Sequence, residues 1–159
     1  MKNQLDNERL ALLKSFVLPK YQDIPDVGLY LDQVVKYINA YFLDFPDMQM
    51  TPSMITNYVK HKIVSKVSKK TYSRNQIAHF IIIAVTKSVL SLNNISLLFK
   101  YNDDDFEKFY NSFVSLLYDY LQAIDTKIKI DNSQSMTVNV VSTVAHKMCL
   151  DTYFNNLEN

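Results

Sequence analysis

One glycine, four prolines and one cysteine stand in 159 residues, and each scarcity narrows what the chain can be. With Gly28 alone to supply a left-handed turn, a fold of many β-hairpins is not expected. No loop can cradle a phosphate on successive glycines either. Cys149 has no partner for an internal disulfide. It sits on an apolar helical face, so a buried, inert thiol in a reducing cytoplasm is the expectation. The first six residues lack an uninterrupted apolar core, and a signal peptide is not expected. The apolar run Phe80–Val85 is followed by Lys87 and falls far short of the roughly 20 residues a membrane span needs.

The most telling absence is of acid. Between Met48 and Asn102 there is no Asp or Glu, yet that stretch carries eight of the 17 basic residues. Six of the eight fall between Lys60 and Arg74. The formal net charge of +1 hides this, because the acids collect before and after. A local positive field on a near-neutral protein suits a polyanionic partner, since each phosphate neutralised releases condensed counterions. The bland alternative is a solvated basic face.

What remains is helical in pattern. Hydrophobic content of 48% and charged content of 21% are those of an ordinary globular chain with enough length to bury a core. The spacing predicts a first helix over residues 3–17. A second should start near Gly28, with Leu31, Val34, Val35, Ile38, Tyr41 and Phe42 on one face, and end before Pro46. Three later starts repeat one device. Thr51, Ser73 and Ser91 are N-caps; Pro52 follows the first, Gln76 completes a capping box with the second, and apolar pairs bracket each as staples. Asn102 should cap a longer helix whose first turn, Asp103-Asp104-Asp105, complements the helix dipole and needs no metal. Its stripe of Phe106, Phe109, Tyr110, Phe113, Leu116, Leu117 and Tyr120 would pair with a second stripe after the polar break at 127–135.

The helix from Pro52 to about Lys62 is the most informative element. Met54, Ile55, Tyr58 and Val59 share one face, while Ser53, Thr56, Asn57 and Lys60 form the opposite stripe at i, i+3, i+4, i+7. That outer stripe is small, polar and free of acid. Asn reads adenine bidentately, Ser and Thr reach phosphates or base edges, and Lys reaches guanine or phosphate. Residues 63–72, β-prone and carrying Lys66, Lys69 and Lys70, fit a short strand–turn–strand wing lying against the sugar–phosphate backbone. No catalytic constellation accompanies this. His61, His79 and His146 are scattered without zinc spacing, and neither an enzyme nor a cofactor is expected.

Residues Thr51–Val64, Lys69–Ala78 and Val89–Ile95 together resemble the bacterial domain-of-unknown-function family 1836, which in turn looks like the winged helix-turn-helix domain of MerR-type regulators. The resemblance covers roughly residues 30–100. It implies that Thr51 and Ser53 start a recognition helix, that Thr56, Asn57, Tyr58 and Lys60 face DNA, and that Tyr72 and Arg74 end the wing. Thr56 stands where the MerR pattern has arginine, Asn57 where it has the first of two tyrosines, and Lys62 where a glycine follows the recognition helix. The expected architecture is therefore mainly α. It has an N-terminal extension (1–27), a MerR-like winged helix-turn-helix with a small β wing (28–100) and a C-terminal helical pair (101–159). The expected role is that of a cytoplasmic transcriptional regulator binding double-stranded DNA. The C-terminal aromatic stripe would be a homodimer face, a pocket for an effector of unknown kind, or core beneath the winged helix. The competing reading is an adaptor that uses the same scaffold to bind protein.

Overall fold

Each of the three capped starts forms where the residues require it. Thr51 Oγ1 accepts the Met54 N–H at 3.2 Å, Ser73 Oγ the Gln76 N–H at 3.3 Å and Ser91 Oγ the Asn94 N–H at 3.1 Å. Gln76 Oε1 returns the favour by accepting the Ser73 N–H at 2.9 Å, which closes the capping box. The computed structural model describes residues 2–126 and 135–157, side chains at 2, 153, 154, 156 and 157 excepted. The helices are α1 (Lys2–Ser15), α2 (Leu31–Asn39), α3 (Pro52–Lys60), α4 (Arg74–Thr86), α5 (Leu92–Tyr101), α6 (Phe106–Gln122) and α7 (Met136–Leu157), with single 3₁₀ turns at Tyr21–Asp23, Pro46–Met48 and Asp103–Asp105. Most of the polar break at 127–135 lies outside the described residues.

The β wing is not present. Among the described residues there is no strand, only two isolated antiparallel bridges, Leu29 with Tyr72 and Ser68 with Thr71. The reason is hydrogen bonding. The Ser65 and Lys66 carbonyls, which a ladder would have used, accept instead from Gln76 Nε2 at 2.9 and 3.0 Å. β-propensity reports fit to a pleated neighbour, and no neighbouring strand exists.

Two compact units make up the chain: Pro19–Asn111, and Met1–Leu18 together with Ser112–Asn159. In the first unit α2 packs on α3 and α4. Helix α4 is its centre, with every residue from Phe80 to Thr86 buried. Such an apolar run cannot present a solvent face, and the surrounding elements cover it. Between α2 and α3 the chain is held by Asn39, whose carboxamide donates to the Met50 carbonyl at 2.8 Å and accepts the Met50 N–H at 2.7 Å. This two-point clamp, with Phe42, Phe45, Met48 and Met50 buried around it, fixes how the chain enters α3. Tyr110 is fully buried and its hydroxyl donates to the Pro19 carbonyl at 2.9 Å.

In the second unit α1 packs on α7. The guanidinium of Arg9 is largely buried, which is tolerable because it donates to Thr152 Oγ1 and to Asp6 Oδ1, each at 3.3 Å. Cys149 is half-buried, its sulfur 4.0 Å from Arg9 Nη1, so it is not the wholly enclosed thiol expected. Two further expectations change. Asn102 does not cap a helix start; its side chain donates to the Leu98 carbonyl at 2.8 Å and closes α5. Asp105 takes the cap of α6 by accepting the Lys108 N–H at 3.1 Å, and the acidic triplet forms the 3₁₀ turn before it.

His79 of α4 stacks on Phe106 at 3.6 Å between ring centroids and meets Phe99 edge-on at 4.6 Å. Its Nδ1 lies 2.7 Å from the Asn75 carbonyl, which selects the tautomer protonated there. Burial pulls its pKa below the ordinary value, against the opposing pull of that carbonyl and of Asp103. The unfolded chain therefore takes up a proton at a pH where the folded one has not, and stability falls as pH drops below about 6.5. Unfolding midpoints compared between pH 7.5 and 5.5 should fall further for the natural chain than for His79→Phe. Equal losses would mean that His79 does not contribute.

Candidate nucleic-acid interface

Helix α3 buries Ile55 completely and half-buries Tyr58 and Val59. The opposite stripe is open to solvent: Thr51, Ser53, Thr56, Asn57 and Lys60 are all exposed. Two of these hydroxyls are already engaged. Thr51 accepts the N-cap bond, which leaves its proton to donate outward, and Thr56 Oγ1 lies 3.2 and 3.1 Å from the Pro52 and Ser53 carbonyls, which leaves it free to accept. Among the described residues the exposed side chains of Asn57 and Lys60 have no hydrogen-bond partner, which leaves their donors and acceptors to an outside ligand.

The helix ends on lysine where glycine would be easiest. The Ile63 N–H bonds the Tyr58 carbonyl and the Lys62 N–H bonds the Val59 carbonyl, both at 3.0 Å, a Schellman closure with Lys62 in the left-handed conformation at φ 59°. The next left-handed residues are Lys69 (54°) and Lys70 (63°), at the two central positions of the Ser68–Thr71 turn. The Thr71 N–H bonds the Ser68 carbonyl at 3.2 Å, so this is a type I′ turn, normally the province of Asn-Gly. Among the described residues these three lysines are the only non-glycine positions with positive φ. Each carries a strain of roughly 1 kcal/mol or more that glycine would not.

Their charges are unpaired as well. Among the described residues no carboxylate lies within ion-pair distance of Lys60, Lys62, Lys66, Lys69 or Lys70; the cations so paired are Arg9, Lys14, Arg74 and Lys147. The segment is held from beneath. Val64 is buried, and Gln76, only 5% exposed, grips the Ser65 and Lys66 carbonyls. The sole glycine, Gly28, lies at φ 72° with Thr71 so close that a Cβ would stand 3.1 Å from Thr71 Oγ1. The adjoining Leu29–Tyr72 pair exchanges N–H···O bonds of 3.1 and 2.8 Å.

Three residues expected at the surface are placed otherwise. Tyr72 is buried, its ring meeting Phe80 edge-on at 5.8 Å, and its side chain belongs to the core. Arg74 is turned inward: Nε donates to the Ile24 carbonyl at 2.8 Å, the guanidinium lies 5.9 Å from the Tyr21 ring centre, and Asp26 is 4.0 Å away. Tyr58 is half-buried, and that burial raises its phenol pKa, so the hydroxyl stays neutral and able to donate. The aromatic stripe of α6 is largely enclosed too, with Phe109 and Phe113 buried and Leu116 and Tyr120 half-buried. Sequence reasoning missed Gln76 as the support of the lysine segment. Its capping role was legible, but the second donor of its amide had no visible addressee. Lys62 was marked only by the absence of glycine.

A family model described as a domain of unknown function (DUF1836) matches residues 19–121, and the chain belongs to that family. No curated protein and no solved structure matches the chain. Among the described residues no helix is long and apolar enough to cross a membrane.

Replacing Lys62 with Gly should stabilise the protein by about 0.5–1 kcal/mol, once the freedom glycine adds to the unfolded chain is set against the relief of strain. Urea unfolding measures this directly. A loss of stability would mean that the lysine side chain itself holds the helix end.

Proposed function

We propose that this protein binds double-stranded DNA, with α3 presented to the major groove and the lysine segment that follows it set against phosphates, and that it acts in transcriptional control. The observation that carries the reading is the placement of Lys62, Lys69 and Lys70. These are the backbone positions where selection for stability alone favours glycine or asparagine, and each holds a cation with no acidic partner among the described residues. Strained backbone persists where the side chain does something else, and here the side chain offers only charge and reach. A polyanion with regularly spaced phosphates uses both.

The resemblance to MerR-type regulators read in the sequence of residues 51–64, 69–78 and 89–95 favours a helix-turn-helix mode of docking, with a tight lysine turn where those regulators carry a wing. Thr51, Ser53, Thr56, Asn57 and Lys60 are the groove-facing set; Lys62, Lys66, Lys69 and Lys70 are the backbone set. Tyr72 and Arg74 act only by holding the segment in place. The adaptor reading draws on different residues. Leu97 and Tyr101, one turn apart on α5, are 51% and 73% exposed and would serve a protein partner.

The two sets should fail differently. Asn57→Ala should weaken the best-bound sequence while leaving non-specific DNA almost unaffected, at a stability cost under about 0.5 kcal/mol because the site is exposed. Changing Lys66, Lys69 and Lys70 together to Gln should weaken all sequences alike and flatten the log–log salt dependence by up to about 0.9 per lost contact. Fluorescence anisotropy on labelled duplexes reads both. Unchanged affinity in both variants would remove this surface from function.

A further inference from the structure

A cleft of about 460 Å³ opens beside the lysine turn, between the 26–28 segment and residues 65–76. We propose that it is a phosphate-binding site, occupied by a phosphodiester of the DNA held on the same basic surface. The inference deepens the DNA reading and rests on it. Its walls carry Lys66 and Lys69 together with the hydroxyls of Ser65, Ser68 and Ser73.

The direction of the hydroxyl protons decides the chemistry. Gln76 lies under the cleft with its carboxamide fully used. Its Nε2 donates to Ser65 Oγ at 3.4 Å and its backbone N–H donates to Ser73 Oγ at 3.3 Å. Each serine oxygen takes one contact from below, and each hydroxyl keeps its proton to donate to a group in the cleft. Two ammonium groups add further donors that can never accept. A donor-lined recess with a positive balance suits a tetrahedral oxyanion and repels a metal ion or an amine. No wholly apolar side chain lines the cleft, so an apolar ligand would find only the carbon parts of polar residues to pack against. The geometry is also held in place: the Leu29–Tyr72 pair and the close packing of Gly28 on Thr71 fix one wall against the other.

One lining group opposes an anion. The Asp26 carboxylate is largely exposed at the rim, and its only ion-pair partner among the described residues is Arg74 at 4.0 Å. Removing its charge should strengthen binding of an anion and would abolish binding of a cation.

The test uses the full chain and two probes, inorganic phosphate and duplex DNA. Amide chemical shifts of residues 65–73 should move on titration with phosphate, and Asp26→Asn should tighten that binding several-fold. Ser65→Ala should weaken both phosphate and DNA by about ten- to a hundredfold, the loss of one hydrogen bond to a charged group. Phosphate binding with DNA affinity unaffected by Ser65→Ala would keep the site and assign it to a free phosphorylated molecule. No shift at tens of millimolar phosphate, or weaker binding in Asp26→Asn, would overturn the proposal. DNA binding with a silent cleft would overturn it while leaving the DNA reading intact. A responsive cleft with no DNA binding at low salt would overturn both the DNA reading and the DNA phosphodiester as the occupant, and leave a site for free phosphate. Because Asp26 is exposed, its variant keeps the test decisive even if Ser65→Ala loosens the turn.

Discussion

The carboxamide of Gln76 holds together two structures that would otherwise be independent. Its oxygen accepts the Ser73 N–H and starts α4, while its nitrogen takes the Ser65 and Lys66 carbonyls and fixes the segment that leaves α3. Because the side chain is buried, each of these bonds is made away from competing water, and leaving any of its partners unsatisfied would cost more than the bond contributes when made. The lysine turn is thus anchored to the most deeply buried helix of its unit. Without that anchor, ten residues rich in like charge would have little reason to keep one shape.

This arrangement explains how strain is sustained. A loop with three left-handed lysines is disfavoured locally, and like charges close together add repulsion. Against this stand the Schellman closure at Lys62, the type I′ turn bond, the Leu29–Tyr72 pair and the Gln76 bonds. The surrounding structure over-determines the backbone, so the side chains at those positions are free to be chosen for charge. The single glycine of the chain is placed at a left-handed position where a Cβ would press on Thr71 Oγ1 at 3.1 Å, rather than in the turn beside it.

The helix starts at Pro52, Arg74 and Leu92 were legible because capping is local. A hydroxyl, the three residues after it and a staple are all within one turn of chain. The outward stripe of α3 was legible for the same reason of periodicity, and its residues are exposed as read. The wing was not legible, because β-prone residues report only a preference for a pleated neighbour, and the carbonyls that would have made the ladder were claimed by a distant glutamine. Tyr72 and Arg74 failed for a related reason. A tyrosine and an arginine at the end of a basic segment resemble contacts, but Phe80, Tyr21, Ile24 and Asp26, brought near only by the fold, draw both inward. Asn102 and Asp105 exchanged roles within three residues, a difference set by where the 3₁₀ turn closes and not by composition.

The proposal is that backbone-strained lysines, without an acidic partner among the described residues, are kept for a polyanion. The most direct test is the affinity of the natural protein for a random-sequence duplex, measured by anisotropy from 50 to 300 mM salt. The account predicts measurable binding at low salt and a linear log–log decline whose slope corresponds to several phosphate contacts, at about 0.9 for each. Absence of binding at 50 mM salt, or an affinity that does not change with salt, would contradict it.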